Sequence, residues 1–137
     1  KVQAGADFFT TQILYEPEGF TRTLDALAEQ STLPDEVLVA VCPAQTERNV
    51  RFLLWLGVGI SDVLERWLTE VDTQVAARSL EQIARTWRNI IGHQQSHHRG
   101  QPRLGINLAP IGPIAPETTV ALAGDLAAMH ASAMNGV

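Results

Sequence analysis

The sequence predicts an α/β protein assembled from parallel βα units, and three observations lead there. Short apolar runs at 7–14, 35–42 and 103–110 alternate with stretches whose apolar residues recur at helical spacing, and such alternation implies parallel strands joined by right-handed crossovers. The opening run, DFFTTQIL, is rich in aromatic and β-branched residues, as suits a strand covered on both faces. Three parallel strands alone would leave two edges carrying Val, Leu and Ile, an aggregation hazard unless covered, so closure needs more strands.

The elements follow in order. Gly5 suits the left-handed position just past a helix C-terminus, with Lys1 in that helix's last turn. The chain thus opens where a helix finishes, without an initiator Met, and it is expected to be part of a longer one. Glu16, Pro17 and Glu18 form a turn, and Phe20, Leu24, Leu27 and Ala28 mark the first full helix. Ser31 to Pro34 break it, and DEVLVAVC at 35–42 is the second strand, bounded by Pro43. Thr46 with Glu47 and Arg48 opens a heavily apolar helix carrying Val50, Phe52, Leu53, Leu54 and Trp55, ending near Gly57 and Gly59.

Ser61, Asp62 and Glu65 signal a short helix to about Glu70, with acidic groups at the favourable end of its dipole. Asp72 then leads a long helix whose Ala76, Leu80, Ile83, Ala84, Trp87 and Ile91 share one face. GHQQSHHRGQP at 92–102 reads as a polar surface connection, RLGINLAP as the third strand, and Leu122, Leu126, Met129 and Ala133 as a closing helix.

Composition narrows the function classes. The 137 residues, 45% of them apolar, have the length of one domain at most, and a net charge of -5 argues against a surface built for phosphate backbones. The single Cys42 can form no internal disulfide and favours a reducing, cytoplasmic setting. Neither a secretory signal nor a membrane-spanning run is present in the sequence.

Candidate site residues come from placement. Gln12 falls at the C-terminal end of the first strand, where α/β sheets bind ligands. Asp7, Glu16 and Glu18 are candidate acids nearby, although Glu16 and Glu18 also suit a helix start. Cys42 ends the second strand with no His near in sequence to activate it, which favours a small buried hydrophobe over a nucleophile. His93, His97 and His98 have spacing that can bring two imidazoles together, but no Asp or Glu lies close in sequence to complete a set. No metal site and no complete catalytic set is expected.

KVQAGADFFTTQ resembles the segment of the methylenetetrahydrofolate reductase family that reads roughly K-x-x-A-G-A-x-x-x-x-T-Q, matched by Lys1, Ala4, Gly5, Ala6, Thr11 and Gln12. The resemblance continues through DEVLVAVCP and PAQTERNVRFLLWLGVGIS into the long helix, and thins after residue 92. It implies the C-terminal portion of a (β/α)8 TIM barrel, residues 1–137 supplying the last three strand-helix units. It also implies that the whole protein uses FAD to pass a hydride from NAD(P)H to 5,10-methylenetetrahydrofolate, giving 5-methyltetrahydrofolate.

On that resemblance Lys1 approaches the flavin phosphates, Gln12 contacts the folate pterin, and Leu53 packs on the aminobenzoyl ring. The general acid is expected in the N-terminal half. The family commonly has an Asn-Arg pair after its last strand, whereas this chain reads GINLAPIGP with no Arg after Leu108, a departure that bears on folate binding more than on fold. The expected partners are a folate and either a second copy of the chain or a complementing N-terminal half. Alternatives are a one-carbon methyltransferase, a catalytically silent homologue, or a non-enzymatic subunit completing its barrel with a partner.

Overall fold

In the computed structural model, which describes residues 5–30, 32–97 and 101–135, three strands form one parallel sheet in the order β1-β2-β3. They are β1 (Phe9–Ile13), β2 (Glu36–Val41) and β3 (Arg103–Leu108). The helices are α1 (Glu18–Glu29), α2 (Glu47–Trp55), α3 (Asp62–Thr69), α4 (Val75–Ser96) and α5 (Pro116–Asn135). Among the described residues no helix is long and apolar enough to cross a membrane.

The central strand explains the layering. β2 pairs on both sides, and Val37, Val39 and Val41 on one face pack against Ile83, Trp87, Ile90 and Ile91 of α4 and Leu122 and Leu126 of α5. That alternation of period two aims one apolar row at the helices. The other face carries Thr10, Leu38, Ala40, Gly105 and Asn107, in register across the strands. There Asn107 Nδ2 donates to Thr10 Oγ1 at 3.3 Å.

β1 departs from regular pairing between Thr10 and Ile13. The Thr11 hydroxyl fills the gap, accepting the Ala40 N–H at 3.0 Å and donating to the Gln12 carbonyl at 2.7 Å. A bulge of this kind re-aims the side chains beside it. A second core gathers where the strands end, with Tyr15, Cys42 and Ala44 packed on Val50, Leu53, Val58, Ile60, Leu64, Leu68 and Val75.

Local signals account for the helix limits. Thr46 and Asn49 form a reciprocal capping box at the start of α2, and Ser61 caps α3. Gly5 has φ 84°, the left-handed conformation expected of it. Two expectations are corrected. Asp72 heads a short 3-10 turn, Asp72–Gln74, and α4 itself starts at Val75. The polar segment after residue 92 is not a connection from its start, because α4 runs on to Ser96. Its side chains are satisfied by neighbouring elements: Gln94 Nε2 donates to the Pro102 carbonyl and Gln95 Nε2 to the Ala133 carbonyl.

Candidate functional site

Gln12 stands at the C-terminal end of β1 and is exposed. Its Nε2 donates to the Leu56 carbonyl at 3.3 Å. The end of α2 explains why that carbonyl is available. Val58 N–H bonds the Leu53 carbonyl at 3.0 Å and Gly57 N–H the Leu54 carbonyl at 2.9 Å, with Gly57 at φ 83°. This is the closing pattern in which a left-handed glycine turns the chain away. It satisfies two terminal carbonyls within the turn and leaves that of Leu56 to Gln12. One amide proton is used in this way, and the amide oxygen keeps its accepting capacity.

The same end of α2 carries an exposed apolar shelf. Phe52 and Trp55 stack with centroids 5.7 Å apart, and Trp55 is 78% exposed. Leu56 continues the exposed surface. Large apolar groups left in water next to a strand end are a feature of binding surfaces.

A buried relay holds the strand ends rigid. Ala44 N–H donates to Ser79 Oγ at 2.8 Å, and Ser79 Oγ lies 2.7 Å from Tyr15 Oη, which donates to the Cys42 carbonyl at 2.7 Å. Because the carbonyl can only accept, the protons run in one direction: Ala44 to Ser79 to Tyr15 to Cys42. The Tyr15 carbonyl in turn accepts from Gln82 Nε2 and Thr86 Oγ1, both at 2.7 Å. α4 therefore ties the end of β1 to the loop after β2. Burial pushes the Tyr15 phenol well above its ordinary range, and the Cys42 thiol is raised by burial too.

The other residues singled out in the sequence are distributed differently. Leu53 is 1% exposed, inside the strand-end core, while its neighbour Phe52 faces outward. Lys1 lies outside the described residues, as does His98. Glu16 is half-buried at the expected end of β1, but its carboxylate is engaged as a second cap for α3, accepting from Ser61 N–H at 2.7 Å and Ser61 Oγ at 2.8 Å. Asp7 and Glu18 are exposed. Cys42 is buried in the core with its thiol 3.8 Å from the Pro43 carbonyl.

A cleft of about 590 Å³ opens beside β1, lined by Leu14, Glu16, Phe20, Arg22, Ile60 and Ser61 among others. It follows the side of β1 that pairs with no strand among the described residues. We read it as sheet edge, and Gln12 does not line it.

A family model described as methylenetetrahydrofolate reductase matches residues 1–93. No curated protein matches the chain. Among solved structures, an uncharacterized protein from Clostridium thermocellum, described as binding two copies of 5-methyl-5,6,7,8-tetrahydrofolic acid, aligns with a TM-score of 0.68 and 16% identity. The alignment covers 94% of this chain and 45% of that one, so the chain spans less than half that protein's length. At this identity the likeness shows the fold, a parallel α/β arrangement. The family match takes in Gln12, the Tyr15 relay, the end of β2, the exposed shelf of α2 and nearly all of α4, and the chain belongs to the methylenetetrahydrofolate reductase family.

Proposed function

We propose that this chain supplies the folate-facing strand ends of a (β/α)8 barrel that reduces 5,10-methylenetetrahydrofolate to 5-methyltetrahydrofolate, with FAD and NAD(P)H as cofactors of the whole protein. The observation that carries the reading is the Gln12 amide at the end of β1, exposed and anchored by one bond to Leu56, the residue that follows the exposed Phe52–Trp55 pair of α2. A pterin edge offers both donors and acceptors, which an amide can match. A planar ring also gains from aromatic contact. The resemblance assigns the aminobenzoyl contact to Leu53. That residue supports the shelf from within the core, and Phe52 offers the accessible surface one position earlier.

The described residues do not by themselves make a flavin site. Lys1, the residue the resemblance assigns to the flavin phosphates, lies outside them; on the open sheet face Thr10 and Asn107 are neutral, and the charged Glu36 and Arg103 pair with each other at the N-terminal ends of the strands. These residues' share of the reaction is to orient the pterin and exclude water from one side of it. A second reading, folate binding without reduction, is favoured by the structural neighbour described as binding a methylated folate.

Gln12→Ala tests the proposal. It should weaken 5-methyltetrahydrofolate binding by roughly tenfold, the effect of about one lost hydrogen bond, in a calorimetric titration of the whole protein. Thermal stability should change little, because the bond to Leu56 is exposed and water replaces it. Unchanged affinity, or a large fall in melting temperature with normal affinity in the folded fraction, would make Gln12 a purely structural residue.

A further inference from the structure

We propose that Asp25, His93 and His97 form a binding site for a divalent first-row cation of the zinc class, clamping α1 to α4 on the side of the molecule away from Gln12. The donor atoms of these residues all lie within 4.8 Å of one another. The sequence offered two of the three ligands. Because the helix continues past residue 92, His93 lies in the last turn of α4 and His97 is its C-cap residue one turn on, and their rings lie 4.4 Å apart. The carboxylate missing from the local sequence comes from α1, 68 residues away, where Asp25 Oδ1 is 2.8 Å from His93 Nε2 and 3.8 Å from His97 Nε2.

Those distances fit a cation. Ligand bonds of about 2.0–2.1 Å at tetrahedral angles put donor atoms roughly 3.3 Å apart, between the two separations observed. His97 is already turned correctly. Its Nδ1 lies 2.9 Å from the His93 carbonyl, which can only accept, so the proton sits on Nδ1 and the lone pair of the neutral ring is on Nε2, facing Asp25. An outer-shell bond from a ring N–H to a backbone carbonyl is the usual way a metal-binding imidazole is oriented. His93 Nε2 donates its proton to Asp25, and a cation would take the proton's place between the same two atoms.

Two imidazoles and a carboxylate suit zinc, cobalt or nickel better than magnesium or calcium, which prefer oxygen ligands. The side chains of Asp25 and His97 are 40% and 48% exposed, so water can complete the coordination. The position argues for a structural clamp. The last turns of α1 and α4 lie at the N-terminal ends of the parallel strands, as the bond from Gln94 to Pro102, just ahead of β3, also indicates. In βα architectures that end serves stability.

The test is titration of the whole protein, stripped with chelator, using Co²⁺ and then Zn²⁺. The wild type should take up one equivalent of Co²⁺ with a visible d–d absorption that Zn²⁺ abolishes, and Zn²⁺ should raise its thermal midpoint. Asp25→Asn and His97→Gln, both at partly exposed positions, should each weaken the site by at least about tenfold, since the loss of an orienting partner alone costs that much. Asp25→Asn is the decisive variant because it leaves the His-rich segment untouched. If it binds like the wild type, metal is held by that segment alone and the clamp is wrong. Absence of stoichiometric Co²⁺ uptake by the folded wild type would overturn the site altogether.

Discussion

Trp87→Ala is expected to lower the unfolding free energy by about 3–5 kcal/mol, the range for deleting a fully buried large aromatic. Trp87 is 1% exposed and lies between the helix-facing valines of β2 and α5. Its indole Nε1 donates to the Leu126 carbonyl at 3.0 Å, and its ring meets His130 edge-on at a centroid distance of 5.7 Å. Deletion therefore removes both packing and the hydrogen bond that ties α4 to α5. Trp87→Phe should cost less, because it keeps most of the ring and loses the N–H. Denaturant unfolding of the two variants measures both effects. A loss under about 1 kcal/mol for Trp87→Ala would mean that α5 is not held by this contact.

Tyr15→Phe should destabilise by about 1–3 kcal/mol although it removes one oxygen atom, because the Cys42 carbonyl and the Ser79 hydroxyl lose partners inside the core. The relay also predicts a pH dependence. Burial raises the phenol pKa of Tyr15 in the folded protein, whereas the unfolded chain loses that proton near pH 10. Above that pH the unfolded state binds fewer protons than the native one, so stability falls as pH rises. The stabilising share is fully present below pH 10 or so. Cys42, also raised by burial, adds a contribution of the same sign. Tyr15→Phe should be less stable at neutral pH and lose stability less steeply through the alkaline range. Parallel slopes for wild type and variant would show that Tyr15 ionises as readily in the fold as outside it.

The relay marks where sequence reasoning reached its limit. Among the described residues the alternation of apolar runs marks the three strands and the positions of the five α-helices, because period-two and period-3.6 burial leave direct traces in residue order. The face of α4 was harder. Ala76, Leu80 and Ala84 looked like core positions, yet the helix buries Ser79, Gln82 and Thr86, and the first three are only partly covered. Polar residues bury here because each has a partner in a strand-end loop, and that pairing spans 35 to 71 residues of chain. Nothing local announces it.

The candidate site divides in the same way. Gln12 at the end of β1 was legible from the strand preceding it, and its attachment to Leu56, 44 residues on, was not. The exposure of Phe52 and Trp55 is not legible in the sequence, where they stand among Val50, Leu53 and Leu54 in one heavily apolar helix. Asp25 is brought to His93 and His97 only because α4 runs on to Ser96 and His97 caps it, which nothing in the polar run 92–102 announces.

On the proposed function, the strand-end face carrying Gln12 serves a folate-reducing barrel. The most direct test is anaerobic NAD(P)H oxidation by the whole protein with added FAD and 5,10-methylenetetrahydrofolate, with formation of 5-methyltetrahydrofolate followed by chromatography. Folate-dependent oxidation is expected, with one methyltetrahydrofolate formed per nicotinamide consumed and a kcat/KM in Gln12→Ala lower by about tenfold. Folded protein that takes up no FAD and forms no 5-methyltetrahydrofolate would contradict it.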